Sequence, residues 1–411
     1  MAHTPSMSAS RGYTIGLVSV VAAACGIALA VNTTVNPWRV TPMPWSSQKL
    51  DPYRDISSQI RTGKAGIVRS NESISAAFIG SSRVANALDP EFSGWKRDDV
   101  VNLGCSGGFF YESEAILRYL IGEREVELVL FGIDPGDLSS DVDTRPMGDF
   151  YSSPLAALED PLNRELRYLV GISTLEASFA TLKRAAAEET TQYTPKGLRA
   201  RPKKKGQKSQ LFFIRDRIVG EAAYDLPDKG RTGNDLNTEK TGLLEGVMRA
   251  SREKGIRFIA FIHPTHALMH ARAADAEAPP ALFESERRAV LDIATRVNAL
   301  SPQGPPIEVW DFCDYHDLNC EPIPRTEEAR MTHWNDLGHY SIEMGNLIQS
   351  RVMGWPAPLE GGDSYGTRIT PENFEQHLER VKQGYAGYLT GPHRIDVEWK
   401  EDLIRQAAAE P

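Results

Sequence analysis

The chain has 411 residues, of which 41% are hydrophobic and 25% charged, enough for one large domain with additions or for two domains. Its formal net charge of −9 argues against nucleic acid as a partner, because phosphate binding needs a basic face. The cysteines, Cys25, Cys105, Cys313 and Cys320, form no close C-x-x-C pair, so no metal site is expected.

Residues 1–12 read as a short polar tail on the cytoplasmic side. The uncharged stretch 13–31 is long enough to cross a bilayer once as a helix. A cleaved signal peptide competes with this reading, since Ala28-Leu29-Ala30 resembles a small-residue cleavage site. The length of the apolar stretch favours an uncleaved anchor. Arg11 precedes it while Arg39, Lys49 and Arg54 follow, so charge does not set its orientation. The short tail places the large domain outside the cytoplasm, which in a bacterium is the periplasm.

The segment 32–73 carries Pro37, Pro42, Pro44 and Pro52 and reads as a linker with a short helix near 55–60. Trp38 and Trp45 suit either the membrane interface or packing on the domain. The apolar run 74–79 then predicts a buried strand that ends in Gly80-Ser81-Ser82-Arg83. Gly80 permits a sharp turn, and a serine beyond it stands at the strand edge where open α/β sheets place ligands. Taken alone, Ser81 and Ser82 also read as ordinary turn or helix-cap residues.

Strands are expected at 100–103 and 127–133 with a helix at 111–121 between them. This alternation predicts a parallel sheet. The loop with Gly104, Gly107 and Gly108 can bring backbone N–H groups to an oxyanion, or is simply flexible. Cys105 reads as a small packing residue. The alternation breaks over 137–235, where 154–187 is helix-forming with leucines at 155, 158, 162, 166 and 169. This segment is expected to cap the cleft. Its basic run 196–208 reads as a solvated loop, or as a contact for an anionic polysaccharide or lipid headgroup. A helix at 236–254 and a strand at 256–262 follow. The strand leads to His263 and His266 at the ligand edge, either of which can touch substrate or be structural. A helix at 280–299 and a strand at 307–312 complete the pattern. Cys313 and Cys320 are close enough to close a small disulfide loop in an oxidising compartment. In Asp336-Leu337-Gly338-His339, the spacing lets the carboxylate reach the imidazole Nδ1–H and leaves Nε2 aimed elsewhere, as the base of a nucleophile requires. A helix at 341–353 follows. Beyond the core, 356–411 carries Phe374, Leu378, Val381 and Tyr385 at amphipathic spacing.

Taken in order, four blocks resemble the SGNH/GDSL hydrolase superfamily over about residues 74–355. Gly80-Ser81-Ser82 matches the nucleophile block, with Ser81 in place of the usual Asp. Asn102-Leu103-Gly104 resembles the second block and Gly132-Ile133-Asp134 the third, with Asp where Asn is expected. Asp336-x-x-His339 matches the last. The Gly-Ser-Ser-Arg form looks closest to membrane-anchored relatives that act on O-acetyl groups of extracellular polysaccharides. The resemblance implies a three-layer α/β/α domain with a parallel sheet. It assigns Ser82 as nucleophile, His339 as base and Asp336 as its orienting acid. Gly104, Asp134, Arg83 and His263 become candidate oxyanion or substrate contacts, with Asp134 near the cleft but not the main donor. The implied activity is acyl-ester hydrolysis or O-acetyl transfer on extracytoplasmic carbohydrate. No metal or diffusible cofactor is implied. A catalytically silent glycan-binding or scaffold protein of an envelope polysaccharide assembly is the alternative, kept open by Ser81 and Asp134.

Overall fold

The computed structural model describes the chain apart from residues 1–6, 140–144, 157–160, 201–207, 224–234, 281, 301–302 and 410–411. It divides into two compact units, one of residues 1–72 with 148–195, the other of residues 73–147 with 196–411.

The first unit begins with helix α1, Met7–Val35. Within it, Arg11–Val35 contains an 18-residue stretch of mean hydropathy 2.4 and is long and apolar enough to cross a membrane. From Arg11 the helix is exposed until Ala28, after which Asn32, Thr33 and Val35 are buried. The expected linker is more ordered than its prolines suggested. It holds a 3-10 turn at Gln48–Tyr53 and helix α2, Ile60–Ser70, which buries Ala65, Ile67 and Val68. Trp38, Val40, Ile56, Tyr168 and Tyr193 make a small core, so Trp38 packs inside the unit while Trp45 is exposed. Helices α5, Pro161–Val170, and α6, Ile172–Ala186, complete the unit. The expected cap 137–235 therefore divides: 148–195 belongs with the N-terminal residues, and 196 onward with the second unit.

The second unit is a mixed α/β domain around a six-stranded sheet of order β2-β1-β3-β4-β5-β6. The strands are β1 Ala76–Ile79, β2 Val100–Asn102, β3 Leu128–Ile133, β4 Arg257–Ile262, β5 Glu308–Asp311 and β6 Thr367–Ile369. The first five pair in parallel, and β6 adds antiparallel to β5. Every residue of β1 and β3 is buried, as a parallel sheet covered on both faces requires. On one face, Phe78, Leu130 and Phe261 join a core with residues of the C-terminal helix and of four others. These are α3 Ser82–Ala87, α7 Gln210–Ala223, α10 Ile342–Met353 and α11 Phe374–Thr390. On the other face, Phe131 stacks on Phe258 and meets Phe110 edge-on. That side is covered by α4 Phe110–Glu123, α8 Thr238–Glu253 and α9 Glu284–Leu300.

The expected C-terminal extension is part of this domain. Strand β6 lies in the sheet, and α11 buries Phe374, Leu378, Val381 and Tyr385. The last helix, α12 Arg394–Ala409, contributes Val397 to the core. The expected Cys313–Cys320 disulfide is not formed. Both thiols are free; Cys313 Sγ lies 3.7 Å from Thr265 Oγ1, and Cys320 Sγ lies 3.6 Å from the Tyr315 carbonyl.

Candidate active site

Chain order runs from β1 out to β2 and then back across to β3, so β1 and β3 flank the point where the sheet reverses direction. Loops at that point diverge and leave a crevice beyond the carboxyl ends of the strands. Ser82 follows β1 there, and Asp134 follows β3. The turn out of β1 depends on Gly80, whose φ is 153°. A Cβ at Gly80 would stand 2.6 Å from Val84 Cγ2. Ser81 caps α3, its Oγ accepting from the Arg83 amide at 3.2 Å. Ser82 thus occupies the first helical position, partly exposed while its neighbours Ser81 and Arg83 are buried.

Ser82 Oγ lies 2.8 Å from His339 Nε2. His339 Nδ1 lies 2.8 Å from Asp336 Oδ2 and 3.0 Å from Oδ1. Asp336 Oδ1 also accepts from the amides of Gly338 and His339 at 2.8 and 2.9 Å. Burial opposes the charge of Asp336, but these hydrogen bonds and the imidazole hold its carboxyl down at about 2. The serine therefore has an acceptor for its proton, and that acceptor is oriented by an ionised carboxylate. Residues some 250 positions apart meet because β1 and the loop before α10 end on the same side of the sheet.

That loop is held from several sides. Arg83 Nε donates to the Gly338 carbonyl at 2.6 Å. The His266 amide donates to the Leu337 carbonyl at 3.0 Å. Gln210 at the start of α7 accepts from the Met331 amide at 2.7 Å and donates to the Trp334 carbonyl. Trp334 Nε1 reaches the Leu318 carbonyl at 2.7 Å. Sequence reading missed Gln210 because it carries no motif; its importance comes only from what the fold places opposite it.

Arg83 and Asp134, expected as candidate oxyanion or substrate contacts, engage each other. Arg83 Nη1 pairs with Asp134 Oδ1 at 2.7 Å, and the two side chains are 10% and 21% exposed. Burial works against Asp134's charge, but the Arg83 guanidinium beside it keeps the carboxyl below its ordinary range. The Asp at the end of β3 is thus matched by the Arg that follows the serine. Together they tie the end of β3 to the His339 loop.

His263 is fully buried, with Nδ1 2.9 Å from Tyr340 Oη and Nε2 3.7 Å from Asp134 Oδ1. Burial pushes its pKa down to about 3, so it is a neutral ring supporting Tyr340, next to His339. His266 is likewise buried and neutral, pushed down to about 4, with Nε2 on the Glu321 carbonyl at 2.7 Å.

Gly104 serves packing. Its amide donates to Asn102 Oδ1 at 3.0 Å, while Asn102 Nδ2 donates to the carbonyls of Val84 and Leu88. A Cβ on Gly104 would fall 2.5 Å from the Ala85 nitrogen, so the glycine lets the loop after β2 lie against α3. Gly108 closes a turn onto the Cys105 carbonyl, and Cys105 is buried as expected of a packing residue. The basic run is described in part. Lys196 pairs with Glu91 and Asp98 and Arg199 bonds Ser106 Oγ, whereas 201–207 lies outside the described residues, as does Leu158. No protein-family model matches the chain, and no curated protein matches it.

Proposed function

We propose that the chain is an SGNH-type serine acyl-ester hydrolase or O-acetyltransferase. It is held by α1 as a single-pass anchor in a bacterial inner membrane, with its α/β domain in the periplasm and acylated carbohydrate as substrate. The observation that carries the chemistry is the continuous hydrogen-bonded relay from Ser82 Oγ through His339 to Asp336. Ser82 attacks the ester carbonyl as His339 Nε2 takes its proton. Asp336 holds Nδ1–H and stabilises the imidazolium. The alcohol leaves with the proton from His339, and the acyl group remains on Ser82. Water then releases acid in a hydrolase; a sugar hydroxyl takes the acyl group in a transferase. The Ser82 amide opens α3, where helix N–H groups have no intrahelical acceptor, and is the donor closest in sequence to the oxyanion.

One observation favours a silent glycan-binding or scaffold domain instead. The backbone donor expected for the oxyanion at Gly104 is committed to Asn102, and Asp134, a carboxylate paired with Arg83, can accept but not donate. Fluorophosphonate labelling of the purified full chain separates the readings. Labelling of wild type and none of Ser82→Ala supports the serine enzyme; no labelling of folded wild type assigns the domain to binding.

A further inference from the structure

We propose that the outward faces of α5 and α6 form a second membrane contact, seated in the headgroup region of the bilayer that α1 crosses. The proposal rests on the reading of α1 as a membrane span.

Helix α6 is inverted relative to a helix solvated by water. Its inward face is Thr174, Ser178 and Thr181, all buried. Their hydroxyls are satisfied, by the Arg167 carbonyl at 2.8 Å, Asn32 Oδ1 at 3.1 Å and the Ala177 carbonyl at 2.9 Å. Its outward line repeats at helical spacing through Ile172, Leu175, Phe179 and Leu182. Ile172 is 75% and Phe179 56% exposed. On α5, Leu162 and Leu166, one turn apart, are 65% and 45% exposed. Small hydroxyl residues at the helix contact with apolar side chains outside is the arrangement of helices surrounded by lipid.

Continuity with α1 identifies the occupant. Asn32 near the end of α1 donates to the Leu169 carbonyl at 3.1 Å, so the α5–α6 junction abuts the membrane-length helix where its exposed apolar surface stops. Trp45 stands at the same level, exposed, with its indole N–H on Thr33 Oγ1 at 3.2 Å. An amphipathic ring at the end of a span suits the bilayer interface. Exposed Glu176 and Lys183 share the outward face of α6 with Ile172 and Phe179 at helical spacing, and Lys183 and exposed Arg167 can meet lipid phosphates. The pattern is that of a helix lying in the plane of the interface, with its apolar side about 5–10 Å into the headgroup and acyl boundary.

The test uses the full chain in proteoliposomes of phosphatidylcholine and phosphatidylglycerol. Bimane is attached to Phe179→Cys or Ile172→Cys in a Cys25→Ser background, and separately to native Cys25, which is exposed on α1. The expected result is quenching of both α6 labels by nitroxides at shallow acyl positions and protection from aqueous iodide. Free iodide access without lipid quenching at these positions overturns the proposal. Protection in native membranes but not in pure lipid also overturns it, giving the face to a protein partner. Lipid quenching at Cys25 alone leaves α1 as a span and refutes only the second contact. No quenching at Cys25 refutes the span itself.

Discussion

Arg83→Leu is the most informative perturbation of the candidate site. It removes the donor to the Gly338 carbonyl and strands Asp134 without its cation. At 2.7 Å the gross attraction of the pair is roughly 6 kcal/mol with an effective dielectric of about 20. Desolvation of both ions offsets most of it, so the intact pair is close to neutral for stability. Removing one partner is different, because the remaining charge stays buried; such changes cost about 3–5 kcal/mol. Asp134→Asn should cost less, since the amide oxygen can still accept from Arg83 and Arg83 keeps its bond to Gly338. The double variant Arg83→Leu/Asp134→Asn should regain much of the stability lost by Arg83→Leu, because no unpaired charge remains. It should not regain full ester turnover, because the His339 loop still lacks its tie. Chemical denaturation of the four proteins gives the coupling energy, and p-nitrophenyl acetate turnover gives the split between kcat and KM. A loosened His339 should lower kcat about 10–10²-fold with little change in KM. Additive stability losses, or wild-type kcat in Arg83→Leu, would refute the reasoning.

Ser82→Ala and His339→Ala should lower ester turnover by similar factors, since members of the relay act together, and leave the thermal midpoint near wild type; a large loss for one alone would break the relay. Gly104→Ala should destabilise the domain by about 1–3 kcal/mol, read by denaturant unfolding, because its Cβ meets the backbone of α3. Buried Glu286 is pushed up to about 8 by burial and by the charge of Asp137, itself pushed up to about 7 by burial and by Asp134. A carboxyl bound more tightly to its proton in the folded state makes stability fall as pH rises, here from the ordinary carboxyl range to about 8. Thermal midpoints from pH 5 to 9 should therefore fall less steeply for Glu286→Gln than for wild type.

The apolar runs that became β1 to β4 were legible because a strand covered on both faces needs a continuous hydrophobic segment, whatever packs against it. The relation of Asp336 to His339 was legible for a similar reason: a three-residue separation lets carboxylate and imidazole meet within one loop. The length and apolarity of α1 are also properties of a single segment. What Arg83, Asp134, His263 and Gly104 do was not legible. Each sits beside a motif that suggested contact with substrate; tertiary packing brings Asp134 to Arg83 and Tyr340 to His263, while Gly104 is engaged by Asn102 two residues before it. Cys313 and Cys320, close in sequence, remain free thiols because the local chain sends their sulfurs to different neighbours. The leucines at 162 and 166 had the spacing of a core face, yet they are exposed. Spacing shows that a helix has an apolar side, but only the tertiary structure decides which side is buried, and in α6 that side belongs to threonine and serine.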